Sequence, residues 1–134
     1  MKKITIIAAL GAVLVLSGCA AGATGPADLT GDWKQSNSAS TDAYQQAKIS
    51  DDEITIEWVS DGGDTVSTYW VGTFEAPVDG GEPYTWTSER NEEATDSALL
   101  ASTADSKEFT YEGGVVSYEV SALGTTTIVD LKKN

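Results

Sequence analysis

From residue 31 onward the chain alternates apolar and polar positions in short runs. Glu53-Ile54-Thr55-Ile56-Glu57-Trp58 puts Ile54, Ile56 and Trp58 on one face and the two acids on the other. This is the mark of a strand with one buried side. Val116-Ser117-Tyr118-Glu119-Val120 and Phe109-Thr110-Tyr111 repeat the pattern, and Thr127, Val129 and Leu131 face inward with Asp130 and Lys132 outward. Turn residues separate the runs at Asp51-Asp52, Asp61-Gly62-Gly63-Asp64 and Glu112-Gly113-Gly114, where Gly supplies positive φ and Asp caps the turn with its own carboxylate. The spacing predicts strands over Gly31–Ser36, Tyr44–Ser50, Glu53–Ser60, Thr65–Glu75, Tyr84–Glu89, Leu99–Ser102, Lys107–Glu112, Val115–Ser121 and Thr125–Lys132. Eight or nine short strands with mostly tight connections predict an all-β domain, a small antiparallel meander barrel or a sandwich. The longer connections are Ala76–Pro83 and the acidic Arg90–Ala98, the second with room for one helical turn.

The first eighteen residues follow a different pattern. Met1, Lys2 and Lys3 are followed by Ile4–Leu16, thirteen uncharged and mostly apolar residues. That length suits the h-region of an export signal, about 7–15 residues, and falls short of the roughly 20 that span a bilayer as a helix. Ala20–Ala27 is made of small residues, a tether flexible by composition.

Leu16-Ser17-Gly18-Cys19 resembles the lipobox of bacterial lipoproteins, an aliphatic residue and two small residues before Cys. The resemblance implies diacylglycerol on the Cys19 thiol and cleavage that leaves Cys19 as the new N-terminus. It divides the chain into a signal peptide at 1–18, a lipidated Cys and tether at 19–27, and one acidic β domain at 28–134. A second resemblance lies in Leu29-Thr30-Gly31-Asp32-Trp33-Lys34, which is similar to the Gly-x-Trp opening of lipocalin-like barrels. It implies that Trp33 closes one barrel end against the last strands. There is no clear counterpart of the Arg-containing C-terminal strand motif of those families.

Charge sharpens the function classes. The chain has 8 Lys and Arg against 21 Asp and Glu, a net −13, with one Cys and no His. Past residue 18, six bases face all 21 acids, a side-chain balance of −15. Nucleic acid is excluded as a partner, because phosphate neutralisation needs clustered Lys and Arg. The lack of His removes His-based acid–base catalysis and His-ligated metals. Leu, Ile, Val and Phe make up 19 of the 116 residues past position 18, a low share, but four Trp and five Tyr join them. Each such ring buries about 150–250 Å².

Candidate chemistry is sparse. Asp51, Asp52, Glu53, Asp61 and Asp64 flank two turns but lack the alternating acid spacing of a Ca²⁺ loop, so solvated turn chemistry is expected and no metal. Trp58, Trp70, Trp86, Tyr69, Tyr84 and Phe74 are candidates to line a cavity or fill the core. Strand alternation sends Tyr69 and Trp70 to opposite faces, so one of them is expected outside. Ser106-Lys107 is adjacency at a turn, and Glu57 with Glu119 is a carboxylate pair such as any acidic chain produces. No catalytic residues are expected, nor any cofactor beyond the covalent lipid on Cys19. The expected role is a non-enzymatic binding module on the extracytoplasmic face of a cell or outer membrane, held to the bilayer through Cys19 and meeting an envelope or surface partner. The alternatives are a lipocalin-like carrier of a small apolar ligand, and a lipoprotein of phage or mobile-element origin that blocks a receptor used for infection.

Overall fold

The computed structural model describes residues 26–122 and 124–134. Eight strands, β1 (Gly31–Gln35), β2 (Tyr44–Ile49), β3 (Glu53–Ser60), β4 (Thr65–Thr73), β5 (Tyr84–Arg90), β6 (Ser106–Glu112), β7 (Val115–Ala122) and β8 (Thr125–Lys133), follow one another around a closed antiparallel barrel. β8 returns to β1 through Trp33–Lys133, Lys34–Lys132 and Gln35–Leu131. Among the described residues helix is confined to one turn of α1 (Glu92–Thr95) and a 3₁₀ turn at Asp61–Gly63. The barrel, not the sandwich, is therefore the fold. The ninth expected strand, Leu99–Ser102, is absent: these residues lie in the loop after α1, with Leu99 fully exposed. Two adjacent leucines gave it an apolar look without the alternation that a half-buried strand requires.

Period-two alternation explains the filling of the barrel. Ile49, Ile54, Ile56, Trp70, Phe109, Val116 and Leu131 are wholly buried at its centre. A column of rings runs along the interior: Tyr84 stacks on Trp86 at 5.5 Å, Trp86 on Phe109 at 5.4 Å, and Phe109 meets Tyr118 at 5.2 Å. Large aromatic areas thus supply the burial that the few aliphatics cannot. Trp70 Nε1 donates to the buried Ser88 Oγ at 3.0 Å. Beside them, a Cβ on Gly72 would lie 2.3 Å from Ser88 Oγ and 2.5 Å from the Glu89 carbonyl oxygen, so this approach of β4 to β5 needs glycine.

Three irregularities shape one end. First, Ile56 pairs with Trp70 but Glu57 pairs with Thr68, leaving Tyr69 as an extra residue in β4. The bulge turns Tyr69 and Trp70 to the same side, and both are buried. This overturns the expectation that one of them faces outward. Second, β4 and β5 pair only at Gly72–Arg90 and Thr73–Glu89. Beyond that point the loop of residues 91–105 takes over the edge of β4, with Asn91 N–H donating to the Val71 carbonyl and Ser102 N–H to that of Tyr69. Third, β6 and β7 pair from Glu112–Val115 to Thr110–Ser117 and then part.

At the other end, Trp33 is buried and its Nε1 donates to the Leu29 carbonyl at 2.8 Å. Its ring meets the Tyr111 ring edge-on at 6.5 Å, and Lys133 Nζ of the last strand lies 5.8 Å above it. Trp33 closes this lower end as the Gly-x-Trp resemblance implied.

Candidate functional site

The open volume lies at the upper end, where the 91–105 loop and the parted strands leave the barrel incompletely covered. Two clefts meet there. One, about 490 Å³, runs into the split between β6 and β7 and is lined by Tyr69, Lys107, Glu108, Tyr118, Glu119 and Ile128 among others. The other, about 460 Å³, lies under the loop and is lined by Trp58, Leu100, Thr103 and Val120 among others. Tyr69, Ser102, Ala104 and Ser121 line both, so they form one continuous mouth.

Lys107 occupies the centre of this mouth. It shares the inward face of β6 with Phe109, so alternation directs its chain into the barrel. Its Nζ donates to the Glu119 carbonyl at 2.9 Å across the β6–β7 split. The ammonium lies 5.1 Å from the Tyr69 ring centre, 5.7 Å from that of Trp70 and 5.9 Å from that of Tyr118, within cation–π range of all three. Burial pushes its pKa below the usual lysine value, against a smaller opposite pull from Glu119.

Beneath the ammonium, the Tyr118 hydroxyl donates to Oε1 of the buried Gln45, a crossbar from β7 to β2. Gln45 Nε2 has no hydrogen-bond partner among the described residues. Burial, helped by the proximity of Tyr69, raises the Tyr118 phenol well above its usual pKa. Burial also raises Tyr69, with a hydrogen bond from Ser102 acting in the other direction. The mouth thus holds one partly desolvated cation and neutral phenols, with an uncharged cleft on one side and Glu108 and Glu119 bordering the other.

The aromatics singled out from the sequence do not share one cavity. Trp58 and Tyr69 meet at the mouth, edge to face at 5.5 Å. Trp70 lies below them, Trp86 is inside the ring column, and Phe74 packs on Trp86 at 5.3 Å. Tyr84 is at the lower end, its hydroxyl donating to the Glu75 carbonyl at 2.6 Å. There it borders a smaller cleft of about 220 Å³ with Pro26, Ala27, Pro77, Glu82 and Tyr111. Asp51, Asp52 and Glu53 lie at the lower end of β3, while Asp61 and Asp64 lie at its upper end. Among the described residues no three potential metal ligands cluster. Glu57 accepts from Gln46 Nε2 on the outside of β3, whereas Glu119 is on β7, with three strands between. Leu16, Ser17, Gly18 and Cys19 lie outside the described residues.

Lys107, Tyr118, Gln45 and Ser102 were not singled out as binding residues. The signal for Lys107 was present: it stands two before Phe109 in an alternating strand, a charged residue on an apolar face. Comparison of the chain with protein-family models, curated proteins and solved structures returns no match.

Proposed function

We propose that the protein is a lipid-anchored envelope lipoprotein whose barrel is a non-enzymatic binding module, with the mouth around Lys107 as its binding surface. The observation that carries this reading is polarity along the barrel axis. The chain reaches the barrel at its lower end, where Pro26 and Ala27 border the 77–84 loop and a cleft of about 220 Å³, while the two joined clefts of about 490 and 460 Å³ are at the upper end. From Cys19 to Gly25 there are seven residues, a reach of at most about 25 Å when fully extended. An acylated Cys19 would therefore hold the lower end toward the bilayer and turn the mouth away from it. The many acids favour standing off anionic head groups. Leu99 and Leu100 on the loop and Ile128 on β8 are large apolar side chains exposed beside the mouth, suited to a contact surface. The cleft volumes also fall within the range of small-ligand sites, about 300–1,000 Å³, which favours a ligand-binding variant of the same reading.

Two measurements test it. Cys19→Ala should abolish metabolic labelling with palmitate and release the protein from membranes; unchanged labelling would refute the anchor. With Cys19 intact, dyes at Val78→Cys on the lower loop and at Leu100→Cys on the upper loop should differ in energy transfer to a head-group acceptor. Transfer from position 78 should be the stronger, and equal or reversed transfer would overturn the orientation.

A further inference from the structure

The clefts at the mouth differ in lining, and the difference identifies a ligand class. The cleft under the loop is bounded by Trp58, Tyr69, Leu100, Val120 and small or hydroxyl side chains, without one charged residue. It opens into the cleft that contains Lys107. An ammonium has three donors, and among the described residues this one makes a single hydrogen bond, to the Glu119 carbonyl. The rings of Tyr69, Trp70 and Tyr118 lie within about 6 Å of it. Among the described residues no carboxylate is within ion-pair distance of it; the ion pairs all involve Arg90. A partly buried cation with spare donors and no carboxylate in contact, Glu119 acting only from a distance, gains from an anionic acceptor brought to it out of water.

We propose that the mouth receives a small amphipathic monoanion, with an aromatic or branched apolar body between Trp58, Tyr69 and Leu100 and one carboxylate on the Lys107 ammonium. The proposal rests on the reading of the mouth as the binding surface. Glu108 and Glu119 border the Lys107 cleft from the strand split, so a second negative charge on the ligand would be repelled, and a dianion such as a phosphate monoester is disfavoured. A cationic ligand meets Lys107 itself. A neutral apolar ligand would fill the uncharged cleft but leave the ammonium without a partner.

Calorimetry on the full chain in phosphatidylcholine nanodiscs tests this, with empty discs subtracted, using 2-naphthoate and its neutral isostere 2-naphthalenemethanol. The acid should bind about tenfold or more tightly than the alcohol, as a hydrogen bond to a charged group does. Lys107→Met should bring the acid down to the level of the alcohol, and Lys107→Arg should keep the preference. Tyr69→Leu, with the ammonium intact, should weaken both ligands together. Near-ultraviolet circular dichroism reports whether each variant is folded; should Lys107→Met fail, the acid–alcohol comparison in the unaltered chain and in Lys107→Arg decides. Equal binding of acid and alcohol, a preference that survives Lys107→Met, or no heat from either ligand would overturn the proposal. None of these outcomes alters lipid labelling at Cys19 or the energy-transfer order, so failure here is separable from failure of the anchored-module reading.

Discussion

Tyr118 shows how one side chain joins stability to the site. Its ring ends the aromatic column at Phe109, and its hydroxyl supports Gln45 across the barrel. Tyr118→Phe keeps the ring but leaves the Gln45 amide without its one partner, which should cost about 1–3 kcal/mol at neutral pH in urea unfolding. The pH dependence has a definite sign. The folded phenol has a pKa well above the ordinary 10.0. Its contribution is therefore fully present below that value and is lost as pH rises from there through the folded pKa, where the unfolded chain releases its proton first. The stability gap between the unaltered protein and Tyr118→Phe should shrink at about pH 11 relative to about pH 7. A gap that stays constant would show that Tyr118 remains neutral in both states or ionises equally in both.

At the scale of elements, the loop of residues 91–105 makes the mouth, and Arg90 organises that loop. The Arg90 guanidinium donates to Thr95 Oγ1 at 3.0 Å and lies 3.7 Å from Glu92, 3.4 Å from Asp96 and 3.9 Å from Asp105. Asn91 caps α1, its side chain accepting from Ala94 N–H at 3.2 Å. The three carboxylates are mostly exposed, so each pair alone contributes about 0–1 kcal/mol. What Arg90 supplies is position, because one side chain ties both ends of the loop. Arg90→Met should accelerate amide hydrogen exchange across residues 96–104 while β1, β2, β7 and β8 keep their protection. Faster exchange throughout the barrel, or no change in the loop, would show that the loop is held by something else. The bulge at Tyr69 is the second device of this scale: without the extra residue, alternation would send Tyr69 out and remove one wall of the mouth.

For the whole molecule, charge is the main opposing term. With 21 acids and 8 bases, and ion pairs among the described residues gathered on one arginine, folding concentrates negative charge that is little compensated. Raising NaCl from about 20 mM to about 300 mM should shorten the screening length and raise the melting temperature. A fall in melting temperature with salt would mean that attractive pairs dominate instead. The same field repels a dianion from the mouth and leaves the local ammonium at Lys107 to select a single negative charge.

Alternation and turn chemistry are local properties of the chain, and they carry the all-β class, eight of the nine expected strands, most turns and most of the inward set of residues. The place of Trp33 at the closed end came from the Gly-x-Trp resemblance and not from alternation. Three features emerge from packing alone: the sheet closes into a barrel, the bulge buries Tyr69 beside Trp70, and the loop containing Leu99 and Leu100 partly covers the mouth. Packing also brought Lys107, Tyr69 and Tyr118 together from β6, β4 and β7. Period two gives the face of each residue but not the height at which strands far apart in sequence meet. That height is set by register, by the bulge and by the points where ladders stop, and these depend on packing across the barrel.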